Sequence, residues 1–310
     1  SSIILLLPFY RSSAYWGTSE NFGWIFFILA LYNFLKIRNY SNKPNNYEIF
    51  ITICFCFFSS CALYIRPALV FFPIIYFIYM FLNNRNIYII LISAFSYLVF
   101  AIPGFILIFI WGGFYDYKNF NADLMEDYHN YKFIIRNIPI LLSYFAFYFF
   151  PVLIIEYLHI GIKKFSLKYF KPFFSAILLL LFLWQFNYLN YLGEFILGGG
   201  AILKLNYLIK AENFLLLLLA SAIGFSIIYQ ILKENFKVNV SILLPVLIIY
   251  GFPNEIYQEY VEPLILFIFL SGMLQTKYHE IYFRNINLSN LITISYVVLY
   301  LLGATYYKHF

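Results

Sequence analysis

About ten apolar segments divide this chain, and the charged residues between them change sign from one side to the other. That pattern constrains the fold more than any motif does. A bilayer core about 30 Å thick needs roughly 20 apolar residues for each helical crossing. A chain of 310 residues can hold about ten such crossings and little else. The composition agrees: 63% of residues are hydrophobic and 11% are charged, and the mean hydropathy is +0.80. A soluble domain of this size must cover itself with polar groups, and this chain has too few. The expectation is an all-α, polytopic transmembrane helical bundle, a single transmembrane domain over residues 1–310.

The apolar runs, bounded by charges, Pro, Asn and Gly, place crossings at about 20–37, 48–65, 68–83, 88–111, 137–158, 173–192, 214–232, 239–252, 263–276 and 289–307. One set of loops carries Lys36, Arg38, Lys43, Arg85, Lys163, Lys164, Lys168, Lys171, Lys233, Lys237, Lys277 and Arg284. Those 12 basic residues face four acids, Glu48, Glu156, Glu234 and Glu280, for a net charge of +8. The other set carries Arg11, Arg66, Lys118, Lys132, Arg136, Lys204, Lys210 and Lys308. Those eight face ten acids, for a net of −2, and the two sets together match the chain total of +6. Basic loops stay in the cytoplasm, so the first set is expected there and the second outside. The location is then multi-pass in a bacterial inner membrane or the ER membrane. No internal repeat is visible, so sequence symmetry gives no support to an inverted-repeat transporter.

Cys54, Cys56 and Cys61 lie in one apolar run, an odd count without CxxC spacing, which argues against a disulfide framework or a zinc site. His129, His159, His279 and His309 are scattered, with no HExxH spacing. There is no Rossmann fingerprint, Walker A loop or other nucleotide motif, and nucleic acid is not an expected partner. Ser1 precedes the run Ile3 to Leu7, which looks like the last part of a hydrophobic helix rather than a signal peptide. The expectation is a fragment that lacks its N-terminal helix and first external loop.

Four external segments could carry chemistry. In CALYIRPALVFFP, Arg66 stands between two apolar runs with almost no polar cover. An arginine at membrane depth must pair or reach the interface. At the external end of a helical hairpin its planar fork suits the oxygens of a lipid-linked phosphate, although a snorkelling anchor is the plainer role. In PFYRSSAYWGTSENFGW, Arg11, Trp16 and Glu20 sit among hydroxyls, a combination suited to sugars. Ser19 or Thr18 could also simply cap the next helix, with Glu20 in its first turn. In NEIYQEYVEPLILF, Glu255, Glu259 and Glu262 recur at spacings that share a helical face, ahead of Pro263 at a favoured first helical position. They could bind substrate or remain a solvated acidic helix start. In GEFILGGGAILK, three glycines permit close backbone approach and Lys204 follows, which makes either a turn or a cradle for a phosphate or sugar.

In their order along the chain, RSSAYWGTSEN, YIRPALVFFP and YVEP resemble the GT-C glycosyltransferases. The pattern is most similar to the dolichyl-phosphate-glucose α-1,2-glucosyltransferase type. The resemblance implies an inverting transfer of one sugar from a polyprenyl-phosphate-linked donor to a glycan or lipid-linked acceptor on the non-cytoplasmic face. It also implies donor-phosphate binding by Arg66, with Arg11 and Lys204 as further candidates, and substrate binding by Trp16, Glu20, Glu259 and Glu262. The general base of that family is an acid in the first external loop, expected upstream of Ser1. Glu20 is a weak stand-in, so the catalytic residue stays unassigned. No cofactor is required, although the external acids permit a divalent metal. The alternatives are a lipid-linked oligosaccharide flippase or other transporter, and an O-antigen polymerase or ligase. A transporter calls for polar residues inside the crossings, where little beyond Gln185 and Asn187 is legible. The longest external loop is acidic rather than arginine-rich, which disfavours the polymerase.

Overall fold

The computed structural model describes residues 20–38, 46–65, 67–111, 131–185, 215–251, 276–284 and 286–309, with a few single positions between them. Among the described residues all regular structure is helical. We number the helices α1 (Glu20–Arg38), α2 (Asn46–Ile65), α3 (Phe71–Leu82), α4 (Ile87–Trp111), α5 (Tyr131–Gln185), α6 (Leu215–Glu234), α7 (Phe236–Gly251), α8 (Lys277–Arg284) and α9 (Ile286–His309). A 3₁₀ turn, Pro67–Val70, leads into α3. Four described helices hold stretches long and apolar enough to cross a bilayer: Asn46–Ile65, Ile87–Ile106, Asn137–Phe182 and Leu215–Glu234. Phe71–Leu82, Phe236–Gly251 and Ile286–Tyr300 are apolar but shorter. These are the helices of an integral membrane protein. Seven of the ten expected runs correspond to separate helices, and two lie together in α5. Most of the run at 263–276 lies outside the described residues.

The chain forms two compact units. One contains α1–α4 together with Ser241–Ile249 of α7; the other contains α5, α6, α8, α9 and the two ends of α7. In the first unit the core is aromatic. Phe27, Phe34, Phe55, Phe71, Phe72 and Tyr76 are fully buried. Phe55 packs on the Tyr76 ring at 4.4 Å and Phe27 on Phe72 at 4.8 Å. Ring pairs at such spacings add roughly 0.5–1.5 kcal/mol each beyond the area they bury. The α3–α4 hairpin turns on Asn83-Asn84-Arg85-Asn86. Asn84 adopts φ 48°, a left-handed conformation that asparagine tolerates. Asn86 then caps α4, its side-chain oxygen accepting the Tyr88 amide at 2.9 Å. Arg85 donates to the Arg38 carbonyl at 2.8 Å, placing a cation on the C-terminus of α1, where the helix dipole favours it.

The second unit departs from the expected loop at 159–172. That stretch is helical except at Gly161, where φ 76° and ψ 161° break α5 into two arms. Only glycine adopts that backbone conformation readily. The lysines around it are good helix formers, so the basic run forms a helical turn at a single break. The α5 and α6 backbones approach so closely that a Cβ on Gly224 would lie 1.8 Å from the Leu142 carbonyl oxygen. Small residues let spanning helices touch in this way. Ser221 fastens the same contact by donating to the Pro139 carbonyl at 2.6 Å.

Candidate functional site

In the first unit, the described residues nearest the predicted phosphate site surround Tyr64. Its hydroxyl donates to the Phe100 carbonyl at 2.6 Å and accepts from the Gly104 amide at 3.0 Å. Those two backbone groups pair with each other in an uninterrupted helix. Pro103, inside α4, has no amide hydrogen and pushes its ring at the preceding turn. The tyrosine hydroxyl serves the backbone groups beside that defect, an insertion of the kind that bends helices. Gly104 makes room for it, because a Cβ there would lie 2.8 Å from Tyr64 Cε1. The last turn of α2 is thereby tied to the middle of α4. α2 ends at Ile65 and the 3₁₀ turn begins at Pro67.

An apolar groove of about 520 Å³ runs between α2 and α4, lined by Ile49, Ile53, Leu91, Phe95, Val99 and Phe100 among others. Leu91 and Phe95 are exposed along its lip. Phe100, at the end of the lining, is the residue whose carbonyl binds Tyr64. Behind the groove, hydroxyls satisfy one another inside the unit: Tyr76 with Ser93 at 2.8 Å, and Ser59 with Tyr97 at 2.6 Å. The crossings thus hold more polar groups than sequence reading anticipated. These groups are neutral and hydrogen-bonded, as buried polar groups must be.

The second unit contains a charged cluster. Glu156 is 2% exposed. Lys168 Nζ lies 2.6 Å from its Oε1, and the Tyr169 hydroxyl donates to its Oε2. Tyr169 also shares a hydrogen bond with the Tyr278 hydroxyl. Burial and the nearby Glu156 carboxylate push the Tyr278 phenol up from its ordinary range. Lys168 lies 4.8 Å above the Tyr278 ring, a cation–π arrangement. Its carbonyl has no helical donor four residues on, because that residue is Pro172; Gln230 Nε2 fills the gap at 2.7 Å. The Glu234 carboxylate accepts the Lys277 amide at 2.5 Å, capping α8. Sequence reading counted Glu156 and Lys168 only as loop charges that signal topology. Tertiary contact makes them the clamp that joins both arms of α5 to α6 and α8. No spacing within the sequence pointed to this role.

The residues proposed from sequence lie largely beyond this geometry. Arg11, Trp16, Arg66, Lys204, Glu259 and Glu262 fall outside the described residues. Glu20 opens α1, and its side chain falls outside them as well. Among the described residues no group of three or more His, Cys, Asp or Glu is placed to hold a metal ion. Cys54, Cys56 and Cys61 are free thiols on α2. No protein family model, no curated protein and no solved structure matches this chain.

Proposed function

We propose that this integral membrane protein transfers a sugar from a polyprenyl-phosphate donor to a hydroxyl acceptor on the non-cytoplasmic face. The observation that carries the reading is the path along α2. An apolar groove between Ile49 and Ile53 of α2 and Leu91 to Phe100 of α4 reaches the residue whose carbonyl Tyr64 binds. Arg66 is two residues further on. An isoprenoid chain suits such a groove, and the sequence beyond Tyr64 supplies an arginine, whose fork binds phosphate oxygens in pairs. In the reaction a base removes the acceptor proton. The acceptor oxygen bonds to the anomeric carbon as the bond from that carbon to the phosphate oxygen breaks. The departing phosphate keeps the electron pair, and guanidinium charge stabilises it. Trp16, Glu20, Glu259 and Glu262 are the candidates for holding sugar and acceptor, and Arg11 and Lys204 for assisting with the phosphate.

The test is transfer from radiolabelled polyprenyl-phosphate sugars in membranes that contain the wild-type chain or Arg66→Ala. Lost transfer with normal membrane insertion supports the reading, and undiminished transfer by the variant removes Arg66 from it. Flippase chemistry gains less support, because among the described residues of the α1–α4 unit the buried polar side chains are mostly hydroxyls, and Glu48, in the first turn of α2, is the one buried charged side chain rather than part of a charged route.

A further inference from the structure

We infer that α5, α6 and α8 assemble a composite binding surface for the headgroups of anionic phospholipids. This inference does not depend on the transferase reading. Three separate stretches of sequence carry the surface, and contacts already described gather them at one end of the α5–α9 unit. Gln230 holds the turn of α5, Glu234 holds the start of α8, and Tyr169 meets Tyr278. Asn239 adds the start of α7 by donating to the Ile231 carbonyl at 2.6 Å. Around these contacts Lys163, Lys164, Lys171, Lys233, Lys237 and Arg284 are all exposed.

The nearby acids leave most of that charge unopposed. Glu156 is buried against Lys168, and Glu234 accepts a backbone amide. Glu280 is exposed. Ile162, Leu167 and Phe236 stand among the cations with 66%, 79% and 64% of their surface exposed. Bulky apolar side chains interleaved with lysines suit a lipid interface, where the chains enter the acyl boundary and the ammonium groups meet phosphate. The position also selects the partner. The surface lies where the two arms of α5 meet, and an arm's end in a bilayer is at headgroup level. A soluble polyanion would match the charge but not the exposed apolar side chains.

The experiment reconstitutes the full chain in nanodiscs of phosphatidylcholine containing phosphatidylglycerol, strips the discs in mild detergent, and counts retained lipids by native mass spectrometry. The wild type should retain phosphatidylglycerol several-fold over phosphatidylcholine, and the preference should weaken as salt rises. A K163Q/K164Q/K171Q/K233Q/K237Q variant should lose the preference, and the matching lysine-to-arginine variant should keep it. A K118Q/K132Q/K210Q variant, altered in the other loop set, should retain it too. Unchanged retention by the five-glutamine variant overturns the inference. Equal loss in the K118Q/K132Q/K210Q variant overturns it as well, because net charge alone would then explain the binding.

Discussion

Tyr64 and Gly104 meet directly after Pro103 of α4: the glycine amide donates to the tyrosine hydroxyl at 3.0 Å, and the same hydroxyl donates to Phe100. One phenol thus serves a backbone donor and a backbone acceptor on either side of Pro103. Tyr64→Phe keeps the ring and removes the hydroxyl. Leaving backbone groups unsatisfied costs about 1–3 kcal/mol. A lower melting temperature in detergent and faster amide exchange at Gly104 are expected. Wild-type exchange at Gly104 in the phenylalanine variant would show that the hydroxyl does not protect that amide.

Gly224 and Gly161 should respond to alanine in different degrees. In an exposed helix, Gly→Ala stabilises by about 1 kcal/mol. At Gly224 the new methyl would run into the Leu142 backbone, which cannot swing aside as a side chain can. Gly224→Ala is expected to separate α5 from α6 and to yield little monodisperse protein on size-exclusion chromatography. At Gly161 no atom lies within 4 Å of a built Cβ, so only the backbone conformation resists. Gly161→Ala should fold and lose about 1–3 kcal/mol. Equal melting of the two variants would contradict the close approach.

Lys168→Met leaves Glu156 buried without its cation. Breaking one side of a buried pair costs on the order of 3–5 kcal/mol. The double variant Glu156→Gln/Lys168→Met removes both charges and should recover most of that loss. A thermodynamic cycle of the two single variants and the double variant in detergent measures the coupling. Additive effects would mean that the two charges do not interact.

Tyr278 sets an alkaline limit. Its phenol titrates above the ordinary tyrosine value when folded, because burial and Glu156 disfavour the charged form. Unfolded, it titrates near 10. The folded chain therefore binds that proton more tightly, and the stability it adds is present below pH about 10 and lost as pH rises beyond it. Melting temperature should fall steeply above that pH, and Tyr278→Phe should flatten the fall. An equally steep fall in the variant would place the alkaline limit elsewhere.

Sidedness can be tested directly. If the basic loops are cytoplasmic, a reporter fused after Lys168 reads cytoplasmic and one fused after Asp123 reads external. The opposite result would invert the topology and move Arg66 to the other face.

The apolar runs located four of the numbered helices, α1, α2, α4 and α6, to within a residue or two at both ends. The run at 20–37 became Glu20–Arg38, and that at 48–65 became Asn46–Ile65. Runs of apolar residues survive in any packing, because each must leave water whatever its neighbours are. The stretch at 159–172 read as a loop because four lysines interrupt the hydropathy, yet lysine opposes a helix only where it would be buried. The sequence pattern around YIRP directed attention to Arg66, while Tyr64, two residues earlier, makes the contact that positions the turn. Pro103-Gly104 lies inside an apolar run that reads as one crossing, and nothing local named the side chain that would pack beside it.

Composition and charge placement alone determined that this chain is a helical membrane protein, because the bilayer imposes a length and a polarity on each segment independently. The tertiary structure decided which polar residues answer one another. Glu156 meets Lys168 and Tyr169, Tyr169 meets Tyr278, Gln230 meets the carbonyl that Pro172 leaves open, and Tyr64 meets Gly104. Such partnerships depend on the approach of helices far apart in the chain. Hydropathy is a sum over neighbours in sequence, and it carries no information about neighbours in space.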